Sequence, residues 1–308
     1  MRRIHILHEN PDWVAPLVAA LQKRGLPYAD WFLNDGVLAL DEVPPKGVFY
    51  NRMSASSHTR DHRYAPELTA QVLAWLESHD RRVLNGGRAL ALEISKAAQY
   101  TALRRHGVPT PRTFVVSGRD AIGAAAARLD GPLILKHNRA GKGLGVRLFE
   151  AAAAAADYAA SDEFEAPVDG LTLVQDYIQA PEPFITRMEF IGGRFLYAVR
   201  VDTSRGFQLC PADVCAVDGG SAPMFHIVPD FHHALIGPVE ALLRANGVHM
   251  AGVEFIIDQD GRAYVYDINT NTNYNPEAEA AAGVSGMAAM ADYLGQQLAA
   301  DDAAAEAA

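Results

Sequence analysis

Three oxygen-bearing side chains near the C-terminus of this 308-residue chain, Glu254, Asp267 and Asn269, carry its strongest chemical signal. They fall on two β-type runs, 252–258 and 262–269, joined through Asp260-Gly261, a two-residue turn signal. Such a turn pairs Gln259 with Arg262 and brings Glu254 opposite Asp267, with Asn269 further along the same face. Facing carboxylates lie roughly 5 Å apart at Cβ and repel, so an apolar hairpin keeps them only with a compensating cation. Two acids and an amide oxygen suit magnesium, with manganese as the alternative ion; such a cation completes its shell with water and phosphate. A four-residue loop would preserve the shared face, and a three-residue loop would break it. The plain alternative is a pair of solvated acids on an edge hairpin. The polar run Thr270-Asn271-Thr272-Asn273-Tyr274-Asn275 that follows reads instead as a binding loop.

Cationic side chains supply the other half of the chemistry. Lys136 ends an apolar strand (133–136) and precedes a loop with glycines at 141, 143 and 145 around Lys142. Glycines let backbone amides approach a phosphate, and the lysine adds a point charge. The loop fits neither common phosphate-binding pattern, and a glycine-rich turn explains it equally well. Lys96 lies on a helix, where lysines are usually solvated. A Gly192-Gly193 turn would place Arg187 opposite Ala198 and Arg200 diagonally on the same face. Two convergent arginines suit a phosphate or carboxylate; a solvated sheet face is the alternative. Arg52 and Ser54 follow a strand at its carboxyl end, where open α/β sheets bind ligands, and are candidates for a substrate carboxylate. His58 with His62, and His232 with His233, read as solvated histidines rather than metal ligands.

The elements that must position these residues read as α/β. An N-terminal region of alternating strands (4–7, 28–33, 47–50) and a helix after Asn10-Pro11 implies a small parallel sheet closing near residues 83–85. A single helix over 89–106 follows, ended by Gly107. Short strands with alanine-rich helices come next, then strands 171–178, 186–191 and 195–201, which imply an antiparallel sheet. The tail beyond about residue 299 reads as frayed. A net charge of −10 excludes a general nucleic-acid binder. No signal peptide is expected from MRRIHILHENPDW, nor a membrane span from any apolar run. Cys210 and Cys215 read as reduced thiols of a cytoplasmic protein.

Taken in order, these pieces resemble the ATP-grasp superfamily, in its glutathione-synthetase-like and ribosomal-protein glutamate-ligase-like (RimK-type) branch. The resemblance covers nearly the whole chain and implies an N-terminal Rossmann-like pre-ATP-grasp domain (1–88). A central subdomain (89–170) with lid and glycine loop, and a C-terminal subdomain (171–300) with the metal site, would follow, then a disordered tail (301–308). It implies ATP between the subdomains, with Lys96, Lys136 and the loop Gly141-Lys142-Gly143 on its phosphates. Gln175, Asp176, Tyr177 and Ile178 would form the adenine hinge, and Glu182 would hold the ribose. Arg187 and Arg200 become catalytic arginines, and Arg52, Ser54, Arg205, Asn271 and Tyr274 border the substrates. The implied chemistry is phosphorylation of a carboxylate and attack by an amine. A phosphotransferase or a non-catalytic nucleotide-binding regulator is the alternative. Small-molecule or peptide substrates are implied, and self-association is left open. Three departures stand out: Ile185 replaces an acid near Arg187, the long and short acids of the metal pair are exchanged, and Asn273-Tyr274-Asn275 replaces the usual small-residue turn.

Overall fold

The computed structural model describes residues 2–141, 143, 145–204 and 224–306; Lys142, Arg205, Cys210 and Cys215 lie outside the described residues. The chain opens with β1 (Arg3–His8), α1 (Pro11–Lys23), β2 (Tyr28–Phe32), β3 (Gly47–Asn51), α2 (Ala65–Ser78) and β4 (Arg82–Leu84). These strands form a parallel sheet in the order β2-β1-β3-β4. Asn10 caps α1 by accepting from the Asp12 amide, with Pro11 at the first helical position.

Two helices stand where the sequence implies one: α3 (Gly87–Glu93) and α4 (Lys96–Arg105). Ser95 breaks the run. Its backbone is extended and its hydroxyl accepts from the Ala98 amide at 3.2 Å, so it caps α4 and makes Lys96 the first helical residue. The pattern of apolar residues continues across the break, which is why periodicity alone joins the helices.

A second sheet, β5-β8-β6-β7, is antiparallel and comes from β5 (Thr113–Ser117), β6 (Leu133–His137), β7 (Arg147–Phe149) and β8 (Leu171–Asp176). Helices α5 (Ile122–Ala126) and α6 (Ala152–Ala160) cover it through Ile122, Ala126, Ala155 and Ala159. The third sheet is antiparallel in the order β11-β10-β9-β12-β13. Its strands are β9 (Phe184–Ile191), β10 (Arg194–Asp202), β11 (Phe225–Val228), β12 (Met250–Ile257) and β13 (Ala263–Asn269). Helix α7 (Ile236–Ala245), with α3 and α4, packs on one face of it around Met188, Phe190, Val253 and Phe255.

Two helices close the chain, α8 (Pro276–Ala282) and α9 (Gly286–Glu306). The tail expected to fray is therefore helical to Glu306, and Arg2 bridges to Asp301 at 3.0 Å. Met290, Ala291, Leu294 and Leu298 of α9 share one core with Ile4, Ile6, Leu17 and Leu21 and with Tyr197 and Val199 of the third sheet. The C-terminal helix thus ties the N-terminal sheet to the antiparallel one. No helix among the described residues is long and apolar enough to cross a membrane.

Candidate active site

Glu254 and Asp267 are paired across β12 and β13, as the sequence implies, but by a different route. The connecting loop has three residues, 259–261, because the Asp258 amide donates to the Arg262 carbonyl. That offset alone would break the register. A bulge between Glu254 and Phe255 opposes one residue by two and restores it, with Tyr266 as the extra residue. The bulge also directs neighbouring Tyr266 and Asp267 into the same cleft. Asn269 lies within 3.5 Å of both acids through its side-chain amide.

The second hairpin does not follow its expected register. A bulge at Leu196 shifts the pairing, so Arg187 faces Val199 and Arg200 faces Thr186. A one-residue slip moves a side chain to the other side of the sheet. Arg187 therefore reaches Glu254, at 3.0 Å, whereas Arg200 is exposed on the opposite face with its guanidinium 4.0 Å from the Phe184 ring centroid. The two arginines do not converge.

A cleft of about 570 Å³ opens between the second and third sheets. Its lining includes Lys96, Lys136, Gly141 and Gly143, the run Gln175 to Ile178, Glu182, Glu254 and Asp267. Residues from seven separated stretches of chain meet there. Asn138, just beyond β6, ties the two lysines' elements together: its side-chain oxygen accepts from the Ala97 amide at 2.9 Å. Lys96 donates to Asp267 at 2.7 Å. Gly145 crosses so near His137 that a Cβ would stand 2.8 Å from the ring, and its φ of +70° favours glycine independently.

Lys136 is held by Tyr100. Its ammonium donates to the phenol oxygen at 2.5 Å, where Gln175 also donates, and the phenol in turn donates to the Tyr266 carbonyl. The rings of Tyr100 and Tyr266 flank the ammonium at 5.2 and 5.7 Å. Burial, and then the charge of Lys96, lower the Lys136 pKa from 10.5 to about 7; Asp267 and Glu254 offset part of this. Burial pushes the Glu254 carboxyl up, Arg187 counters it and Asp267 adds to it. Burial also opposes the charge of Arg187, but Glu189 and Glu254 outweigh it and raise its pKa.

No group of three or more His, Cys, Asp or Glu side chains placed to hold a metal ion occurs among the described residues. The candidate cation site is two acids and an amide, balanced by Arg187 and Lys96. That donor set fits a hard divalent ion, which takes few carboxylates and leaves positions for phosphate oxygens.

Other sequence candidates are placed elsewhere. Arg52 is buried and donates to the Thr272 carbonyl at 3.1 Å and to the Asn273 side chain at 2.6 Å, clamping the loop after β13. Ser54 is buried against Ser56. Much of the polar loop is structural: Glu93 accepts from Thr270 and Asn271 amides, and Asn275 caps α8. Tyr274 packs in the core beside Tyr197. The Asn271 side-chain oxygen is buried without a partner. His62 binds Glu9 at 2.8 Å and forms no metal pair with His58. The residues missed by sequence reasoning are Tyr100, which anchors Lys136, and Tyr266, which the bulge exposes to the cleft; neither belongs to a spacing pattern.

No family model matches the sequence. Over 197 residues, 60% of this chain, it is 27% identical to a D-alanine–D-alanine ligase of Aromatoleum aromaticum. A second D-alanine–D-alanine ligase, from Chromohalobacter salexigens, is 26% identical, and the matches span 59% and 51% of the two ligases' lengths. Among solved structures, a RimK domain ATP-grasp protein of Sphaerobacter thermophilus superposes with a TM-score of 0.65 at 20% identity, covering 95% of this chain and 99% of that one. The ATP-grasp ligase PsnB, complexed with minimal precursor, Mg and ADP, superposes with a TM-score of 0.67 at 18% identity, covering 96% and 97%. The chain therefore has the fold of these ATP-grasp structures along nearly its whole length.

Proposed function

We propose that this protein is an ATP-dependent carboxylate–amine ligase that forms an amide or peptide bond and releases ADP and phosphate. One observation carries the reading: Lys96, Lys136, the glycine loop and the Glu254–Asp267 pair converge on one cleft in an ATP-grasp fold. The names of its relatives, D-alanine–D-alanine ligase and ATP-grasp ligase, support it. Working parts follow the chain: a Rossmann-like N-terminal domain (1–88), a central subdomain (89–170) and a C-terminal subdomain (171–300). The cytoplasm, which supplies both ATP and magnesium, is the compartment this reading calls for.

The residues have separable tasks. Lys136, steadied by Tyr100, and Lys96 bind phosphate oxygens, while Gln175 to Ile178 hold the base through backbone groups and Glu182 the ribose. Glu254, Asp267 and Asn269 would hold magnesium, and a cation bound there would supply charge neutralisation for the phosphates. In the first step a substrate carboxylate oxygen bonds to the γ-phosphorus and the bond to ADP breaks. An amine nitrogen then attacks the acyl carbon, phosphate leaves, and the nitrogen loses a proton. Arg187, bonded to Glu254 on this side of the sheet, would be the arginine that meets the transferred phosphoryl group. Such transfer depends on positioning and charge neutralisation more than on covalent help from the protein.

The decisive experiment is a phosphate-release screen of acid and amine pairs with Mg-ATP, with Asp267→Asn as control. Turnover requiring both an acid and an amine, and falling at least about 100-fold in the variant, is expected. ADP formation that never needs an amine would overturn the ligase reading, and full activity of Asp267→Asn would overturn the metal assignment.

A further inference from the structure

Arg187 is held more tightly than contact with Glu254 requires. Its Nε donates to Glu189 Oε1 at 2.5 Å, and its Nη2 donates to Thr272 Oγ1 at 2.6 Å. Thr272 Oγ1 in turn donates to Glu189 Oε2 at 2.8 Å, which closes a ring of hydrogen bonds. The side-on edge of the guanidinium is thereby filled, leaving Nη1 to meet Glu254 at 3.0 Å. Glu189 and Thr272 are buried, at 2% and 0% exposure, so water does not compete for these bonds.

The surrounding elements build this arrangement. Arg187 and Glu189 are two apart on β9 and share a face. On the neighbouring strand β12, Glu254 pairs with Arg187 and Gly252 with Glu189. The arginine lies across Gly252, where a Cβ would stand 2.4 Å from Nη2. Thr272 arrives from the loop after β13, and Arg52 fixes that loop by donating to the Thr272 carbonyl.

We propose that Glu189 and Thr272 are positioning residues that lock the Arg187 guanidinium, over the gap left by Gly252, with one edge turned to the Glu254 side of the site. Neither touches the cleft. They act through Arg187, fixing before any ligand arrives the donor that must meet developing charge, because a preorganised donor costs no reorganisation during reaction. What Arg187 touches rests on the ligase reading; the lock on Arg187 does not.

Thr272 gives the cleanest test, because Thr272→Val removes the hydroxyl at nearly constant volume and Thr272→Ser restores it. In arginine-labelled protein, the Arg187 side-chain resonances, assigned by their loss in Arg187→Lys, report the lock without substrate. Separate, slowly exchanging Nη signals are expected in the wild type and in Thr272→Ser, and their collapse in Thr272→Val and Gly252→Ala. Phosphate release should fall about tenfold in kcat in Thr272→Val, with KM for ATP within about twofold, and recover in Thr272→Ser. If Thr272→Val keeps both the resolved Arg187 signals and wild-type kcat, the proposal is overturned. Signals that collapse as expected in a protein releasing no phosphate with any pair would defeat the ligase reading and leave the lock standing. Glu189→Gln is the companion variant, and the Thr272 series decides the matter even where that buried change prevents folding.

Discussion

At the scale of single residues, Lys136 makes the sharpest prediction. With a pKa lowered from 10.5 to about 7, it is largely neutral at pH 8 in the free protein. A bound polyphosphate favours its charged form, so nucleotide binding should take up about one proton at pH 8 and little at pH 6. Calorimetry in buffers of different ionisation enthalpy measures that uptake, and Lys136→Met should abolish it; equal uptake at both pH values would contradict the assignment. The sign for stability follows from the same shift. Between about 7 and 10.5 the unfolded chain binds the extra proton, so this group's contribution rises with pH across that window. The sequence marked Lys136 by its place at a strand end before glycines. It did not mark Tyr100, because a tyrosine within a helix acquires this partner only when two sheets and a helix meet.

At the scale of elements, caps and bulges decided what the site contains. Ser95 splits an apparently continuous helix and sets Lys96 at the start of α4. Ser95→Ala should cost about 1 kcal/mol of stability, read by urea denaturation, and should weaken nucleotide binding by loosening Lys96; unchanged binding would separate the cap from the site. The two hairpins show how much rests on a single extra residue. Around Asp260-Gly261 a three-residue loop and a bulge at Tyr266 cancel, so the expected pairing of Glu254 with Asp267 holds. Around Gly192-Gly193 the turn pairs as expected, Arg194 with Ile191, but Leu196 bulges and nothing cancels it. That sends Tyr197 and Val199 into the core beside α9, and Arg200 to the other face. Turn chemistry is local and legible; a bulge answers to packing on both faces of a sheet and has no local signature here.

At the scale of the molecule, α9 joins parts that the chain order separates. Leu294 is fully buried among Ile4, Ile6, Leu17 and Leu21 of the N-terminal region. Leu294→Ala should therefore cost about 2–5 kcal/mol and lower the denaturation midpoint of the N-terminal sheet and the antiparallel sheet together. Separate transitions, with only one displaced, would show that the helix does not couple them. Arg52 acts in the same sense from the opposite end of the chain, reaching from β3 to the loop after β13. Its sequence setting suggested a ligand contact; its burial makes it a clamp.

Local rules were enough to establish most of the strands and helices and the chemical types gathered at the cleft, though not β11. Alternation, capping residues and turn dipeptides act over a few residues, and Glu254, Asp267 and Lys136 could be named from them, whereas Lys96 entered only through the family resemblance. Which of two arginines enters the site depended on a bulge, and whether Arg52 and the polar loop serve ligand or fold depended on what buries them. Those outcomes are set by contacts between residues far apart in the chain, where close packing and hydrogen-bond satisfaction choose among registers that local preference leaves nearly equal.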